Sequence, residues 1–297
     1  MAFDGNWKGT TSMKLSVRTT RGMFLLVAIA SFVASACGTE AGPFPDGSFA
    51  VVANADIGVG ESRIQVGVVG PDGDRLGGPD VPVSLAIAPD GGGESVEYAA
   101  EWIWLIEEIV GLYKTEAVFD SPGVWTVSVA AETGAPLPAT GFQVLDPTFA
   151  PNVGDVAPVA PIDTLATKPL DQLTTDPNPD DDFYRLTLEE AFGSGRPTVV
   201  VFSTPAFCRT ATCGPALDRV KAVKPEYPEV NFVHVEVYTD LQSPDFQPTP
   251  EFLAPALGAE FWNLPTEPWV FVVDSNGIVT ARFEGTATTE DLRTSLG

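Results

Sequence analysis

Four consecutive apolar strand-formers, Val199-Val200-Val201-Phe202, lead within a few residues to Cys208 and Cys213, and a helical pattern follows at once. A run that is apolar at every position suits a strand buried on both faces, at the centre of a covered sheet. This unit constrains the chain more than any other stretch. A cysteine between such a strand and a helix sits near the helix N-terminus, whose partial positive charge favours thiolate over thiol. Arg209 follows directly and adds positive charge. The thiolate is the attacking species in disulfide exchange, so the location suits chemistry.

The chain of 297 residues has three cysteines, Cys37, Cys208 and Cys213, and one histidine, His234. That is no disulfide scaffold. A zinc site of the usual His/Cys type needs more ligands than these. The spacing of the pair is Cys-x4-Cys. In a regular helix, residues five apart have Cα atoms about 8.7 Å apart. A disulfide needs about 7 Å or less. Either Cys208 lies in the loop before the helix, or the first helical turn unwinds on oxidation.

The remaining elements of residues 183–297 read as helix Leu186–Phe192, strand Pro197–Ser203, helix Cys213–Val223 and strand Val230–Tyr238. A helix Pro250–Leu257, strands Trp269–Asp274 and Ile278–Phe283 about the turn Ser275-Asn276-Gly277, and a helix Thr288–Leu296 follow. With the strand–Cys208–helix unit, this order and Glu267-Pro268-Trp269-Val270-Phe271-Val272-Val273-Asp274, the segment resembles the thioredoxin-like superfamily, especially exported redoxin domains. The resemblance implies an α/β thioredoxin-like fold and a cis Pro268 that shapes a substrate groove beside the cysteines. It also implies that Glu267 offers its backbone to a partner peptide. Phe207 stands where the common motif has Trp, and the spacing departs from Cys-x-x-Cys. The x4 spacing also occurs in one peroxiredoxin subgroup, but the Thr expected three residues before the first cysteine is Pro205 here. Copper binding, as in related assembly proteins, wants a later histidine. His234, in an alternating strand, reads as a packed residue.

Upstream, residues 48–146 read as all-β. Short apolar or alternating runs, from Ala50–Ile57 to Gly141–Leu145, are separated by turns such as Pro71-Asp72-Gly73-Asp74 and Asp120-Ser121-Pro122-Gly123. This punctuation suggests a β-sandwich. Tyr113–Val129 resembles the last strands of immunoglobulin-like domains of bacterial surface proteins. Trp102, Trp104 and Trp125 either line a binding face or fill the core. The stretch Trp102–Val110 is a strand or a short helix. Residues 147–182, rich in Pro and Asp, read as a linker. Within it, Val153–Pro158 resembles the opening segment of redoxin domains, which packs on the domain that follows.

Residues 1–36 read as a targeting segment. Lys14, Arg18 and Arg21 precede the apolar run Phe24–Ala36, too short to span a bilayer but of signal-peptide length. Ala34-Ser35-Ala36-Cys37 resembles a bacterial lipobox with Ala34 in place of the usual Leu, which implies lipidation at Cys37. Residues 37–47 read as a tether. No second apolar run reaches spanning length, so the rest is expected to be soluble. The formal net charge of −24 argues against nucleic acid as a partner, since phosphate binding needs clustered cations.

The sequence thus leads to a two-domain expectation, a β-sandwich followed by an α/β thioredoxin-like fold, lipid-anchored on the outer face of the bacterial cytoplasmic membrane. The expected activity is thiol–disulfide exchange, with Cys208 as nucleophile and Cys213 as resolving thiol. It needs no bound cofactor, but does need a protein thiol or disulfide substrate or an electron donor. The alternatives are a binding lipoprotein whose Cys208–Cys213 bridge is structural, and a peroxide reductase.

Overall fold

A computed structural model describes residues 42–297. The expected targeting segment, Cys37 and the first part of the expected tether lie outside the described residues. Among the described residues, no helix is long and apolar enough to cross a membrane.

The first half forms one curled sheet of nine strands. They are β1 (Phe49–Val52), β2 (Ile57–Gly58), β3 (Gly60–Val69), β4 (Arg75–Leu76), β5 (Val83–Pro89), β6 (Val96–Ile106), β7 (Val110–Phe119), β8 (Gly123–Ala131) and β9 (Thr140–Leu145). The order is β1-β3-β7-β6-β5-β8-β9-β2, with β4 beside β3. Strand β6 turns the corner. Its residues Val96–Ala100 pair with β5, and Glu101–Ile106 pair with β7. The curl brings the ends together, so that the Thr140 hydroxyl at the start of β9 donates to the Ala50 carbonyl of β1 at 2.8 Å. Inward-facing Ile64, Val66, Leu85, Ile87, Phe119, Val127 and Val144 fill the interior. Trp125 joins this core against Phe119, which also meets Phe142, and Trp102 packs edge-on against Tyr113. Trp102–Ile106 is strand, and the turn that follows leads into β7.

The second half carries a four-stranded sheet in the order β11-β10-β12-β13. Its strands are β10 (Thr198–Ser203), β11 (Asn231–Glu236), β12 (Trp269–Val273) and β13 (Val279–Glu284). Only β10 and β11 are parallel. Strands β10, β11 and β12 are buried at every position; β10 and β12 carry the apolar runs that suit this, and β11 buries Asn231, His234 and Glu236 among its apolar residues. Three short helices accompany the sheet: α1 (Leu188–Gly193), α2 (Cys213–Val223) and α3 (Thr289–Leu296). Capping boxes at Thr187/Glu190 and Thr288/Asp291 start α1 and α3. The β12–β13 turn is held by Asp274, whose Oδ1 accepts from the amides of Asn276 and Ile278, while Gly277 takes a φ of 80°.

This architecture corrects the expected fold class. The chain is mostly β, built on a nine-stranded curled sheet and a four-stranded sheet, rather than a β-sandwich followed by an α/β thioredoxin-like fold. Two physical reasons account for the difference. Alternation identifies inward residues but does not reveal that β6 is shared, so two facing layers are one bent sheet. The expected helix Pro250–Leu257 is two 3₁₀ turns, Pro250–Phe252 and Pro255–Leu257. Its prolines remove amide donors and clash with the preceding turn, which ends any regular helix.

Residues 147–182 run over the second sheet. Ala150, Ala157 and Ala160 are buried in one of its cores, Leu173 in the other, and Val156 bridges to Ile278. A polar seam joins the two sheets. Arg63 and Lys114 both reach Asp291, at 2.6 and 2.7 Å, and Arg282 reaches Asp56 at 2.7 Å. The Glu284 carboxylate accepts from the amides of Ala55 and Asp56 and from the Thr266 hydroxyl. Asp291, despite its burial, is held well below the usual carboxylate range by its hydrogen bond and charge pairing with Arg63 and its hydrogen bond with Lys114. Arg219, on α2, donates to the carbonyls of Trp104 and Leu105 at the end of β6.

Candidate functional site

Cys208 and Cys213 form a disulfide with their Cα atoms 5.9 Å apart. Of the two geometric options set by the spacing, the chain takes the first. Cys208 lies in the loop after β10, and the regular helix α2 begins at Cys213 itself. The loop is folded by bonds from the amides of Phe207 and Cys208 to the Thr204 carbonyl and from the Ala211 amide to the Cys208 carbonyl. Ala211 adopts the left-handed conformation, φ 59°, and turns the chain between the two cysteines. For a residue with a Cβ this costs about 1–2 kcal/mol, so the surrounding bonds hold it in place.

The two sulfurs have different surroundings. Cys213 is fully buried, at 0% exposure, while Cys208 is partly exposed. The Cys213 amide, at the head of α2, donates to Cys208 Sγ at 3.3 Å. The Thr210 hydroxyl lies 3.3 Å from the same sulfur and is itself 2.7 Å from the Thr212 hydroxyl. A helix-terminal N–H and a hydroxyl aimed at one sulfur are the donors a thiolate needs.

Glu267 and Pro268 are brought to the pair, and the peptide bond between them is cis. The resemblance implies a backbone role for Glu267, and its carboxylate also approaches the pair. A carboxylate oxygen of Glu267 and both sulfurs lie within 4.8 Å of one another. Oε2 of Glu267 is shielded from solvent and has no hydrogen-bond partner among the described residues. Burial, together with the charge of Glu236, pushes this carboxyl up to about 7. Phe207 belongs to an aromatic cluster. It packs with Phe246 and Tyr238, and Phe246 with Phe252, as an aromatic wall beside the loop.

Glu236 and Thr175 are the supporting residues that sequence reasoning misses. Glu236 closes β11, where Oε2 accepts from the amide and hydroxyl of Thr175 at 2.8 and 2.9 Å. Thr175 Oγ1 in turn accepts from the Ala206 amide, two residues before Cys208. Burial pushes Glu236 up to about 7. The one signal in the sequence is an acid set between Val235 and Val237 at the end of the strand that carries Phe232 and Val233. The acidic cluster after Thr175 also has a partner. Asp176 pairs with Lys221 at 2.7 Å, and Asp180 and Asp182 pair with Lys224, which ties the segment to α2.

His234 is a packed residue. Nδ1 accepts from the Tyr184 hydroxyl at 2.7 Å, and Nε2 donates to the Ser203 carbonyl at 3.0 Å. Burial lowers its pKa to about 4, so it is neutral near pH 7 with both nitrogens engaged. It offers no ligand to the cysteines.

The raised carboxyls give a stability signature. A group whose pKa is higher in the folded state contributes stability that is fully present below its unfolded value and lost as pH rises through the folded one. For Glu267 that window runs from 4.5 to about 7. Stability to urea is expected to fall across this window. Glu267→Gln, which has no hydrogen bond to lose at Oε2, makes the fall shallower. Glu236 has the same sign and keeps part of it. A variant with an unchanged urea-midpoint profile against pH would show that Glu267 ionises freely.

No family model matches the chain, and no curated protein matches it. Among solved structures, a chain named ZirS C-terminal domain is similar at 15% identity, covering 46% of this chain and 97% of that one, with a TM-score of 0.21. A likeness of that size carries no argument, and the site's own geometry is what bears on function.

Proposed function

We propose that the chain is an extracytoplasmic thiol–disulfide oxidoreductase that works through Cys208 and Cys213. The asymmetry of the pair carries this reading: one sulfur is partly exposed and held by two donors, and the other is sealed beneath the head of α2. Attack on a substrate disulfide by Cys208 gives a mixed disulfide and releases one substrate thiol. Attack by Cys213 on Cys208 Sγ then releases the second thiol and closes the internal bridge. The substrate has lost its disulfide and the pair has gained one, so electrons balance. Running the steps backwards oxidises a dithiol partner. The short loop between the cysteines, already folded for a Cα separation of 5.9 Å, lets Cys213 reach Cys208 without unwinding α2.

The apolar run Phe24–Ala36 and Cys37 support export and lipid anchoring, and a disulfide suits an oxidising compartment. A structural bridge is the competing reading, and the burial of Cys213 is what favours it. Alkylation after mild reduction separates the two. On the redox reading, the pair reduces without unfolding, and iodoacetamide then labels Cys208 at least about tenfold faster than Cys213. If reduction requires denaturant, or if the two label at equal rates, the bridge is structural.

A further inference from the structure

We propose that reduction of the Cys208–Cys213 bridge opens a three-ligand site for a thiophilic divalent cation of the zinc class, completed by the Glu267 carboxylate. This rests on the reading of the pair as reducible in the folded protein. Among the described residues, these three form the one group of His, Cys, Asp or Glu side chains with ligand atoms close enough to share an ion.

The distances suit the proposal. Zinc holds sulfur at about 2.3 Å and carboxylate oxygen at about 2.0–2.2 Å, nearly tetrahedral, which places ligand atoms about 3.5–3.8 Å apart. The two sulfurs and the Glu267 oxygen already lie within 4.8 Å of one another. Once the covalent bond is gone the sulfurs must part to about 3.8 Å. Cys208 is free to supply that movement because it sits in the loop, outside α2.

The second observation is the state of Glu267. Its Oε2 is buried without a partner, which is costly for a polar atom unless something completes it. The groups around it do not serve. Both Glu236 oxygens are engaged, one by Thr175 and the other by the Val237 amide, and both His234 nitrogens are used. A cation between the sulfurs and Oε2 satisfies the orphan and offsets the charge of two thiolates.

The donor set selects the ion. Two thiolates and one carboxylate suit a borderline-soft d10 cation, whereas calcium and magnesium take all-oxygen shells. With three protein ligands, the fourth position is left to water or to an incoming thiol, the arrangement of an open rather than a closed site. The sequence alone excludes zinc because it counts only histidine and cysteine. The ligand it lacks is brought in by the fold, 54 residues beyond Cys213 in the chain.

The chemistry balances. A dithiol reductant takes the disulfide to two thiols and is itself oxidised to a disulfide. The cation then displaces one proton from each thiol, and one from Glu267 where that carboxyl is protonated. Cation and internal disulfide exclude each other, so bound cation holds the pair reduced and blocks exchange until it leaves.

The test uses the full chain, reduced with a phosphine and kept free of oxygen. Zinc is titrated against a chromophoric chelator, and cobalt is used as a spectroscopic substitute. The reduced protein is expected to take up one equivalent and to show thiolate-to-cobalt charge-transfer absorption, and the oxidised protein to do neither. Glu267→Gln is expected to weaken zinc by about tenfold or more while leaving the bridge reducible. As a second readout, zinc is expected to slow reoxidation of the wild-type pair by a dithiol-derived disulfide. Equal uptake by oxidised and reduced protein, or equal affinity in Glu267→Gln, overturns the site. Retained exchange with no zinc uptake removes this inference and leaves the functional reading standing. A pair that resists reduction in the folded chain removes both.

Discussion

Cys208→Ser is expected to bring disulfide exchange down to the uncatalysed background, whereas Cys213→Ser stops the reaction half-way. The asymmetry of the two sulfurs dictates this. Cys208 is the sulfur that solvent reaches and that the Cys213 amide and Thr210 hydroxyl hold, so nothing replaces it as attacking group. Without Cys213, attack by Cys208 still occurs, but no second thiol stands close enough to resolve the product. Cys213→Ser therefore accumulates a mixed disulfide through Cys208, seen as a stoichiometric mass increase equal to one substrate thiol. The measurement is exchange with a chromogenic disulfide, with intact-protein mass read on quenched samples. If Cys208→Ser forms the adduct and Cys213→Ser does not, the roles are reversed. If neither variant differs from wild type, the pair is not the reacting group. Serine keeps the size of each side chain, and Cys213 is the position at which misfolding is the concern. A single cooperative melt for each variant is the control.

The parts of this site that the sequence makes legible are those set by local physics. The apolar run at Val199–Phe202 becomes β10, and the helix starts at Cys213 as the pattern predicts, because both are decided within a few residues. The spacing argument correctly limits where Cys208 can lie, since helical rise and disulfide reach are both fixed lengths. What escapes is everything supplied from afar. Glu236 reaches the loop through Thr175, and Thr175 belongs to a segment whose prolines and aspartates read as a linker. That composition reports that the segment builds no core of its own. It does not report that Lys221 on α2 and Lys224 just after it pair with its aspartates, or that its alanines fill gaps above the second sheet. The carboxylate of Glu267 escapes for a related reason. A resemblance assigns a role by position, and the role attached to that position concerns the backbone. The fold class fails at the largest scale. Whether short strands close into two layers or one bent sheet depends on how β6 divides its pairing between β5 and β7. No period in the sequence encodes that division.

Asp56→Ala is expected to destabilise the protein by about 3–5 kcal/mol, because it breaks a buried ion pair at the seam between the two sheets. The Asp56 side chain is 0% exposed and that of Arg282 is 11% exposed, so losing either leaves the other's charge buried without its partner. Asp56 also accepts from the amides of Phe149 and Ala150, and alanine leaves both without that acceptor. For a unit of this size, such a loss lowers the melting temperature by roughly 10 °C. Arg282→Ala shares the same contact. The double variant is therefore expected to lose less than the sum of the two single losses, by about 1–3 kcal/mol. Thermal melts followed by circular dichroism and by tryptophan fluorescence test this, and the two probes are expected to move together. A shift below about 2 °C would mean that the sheets stand without the seam. The seam also bears on the site. Arg282 lies over the Trp269 ring at 5.0 Å, and Glu284 holds Thr266, so the two β13 residues that contact Asp56 and Ala55 also brace both neighbours of Glu267 and Pro268. Loosening the seam should therefore change the alkylation rate of Cys208 in the folded, reduced protein, although Asp56 touches neither sulfur.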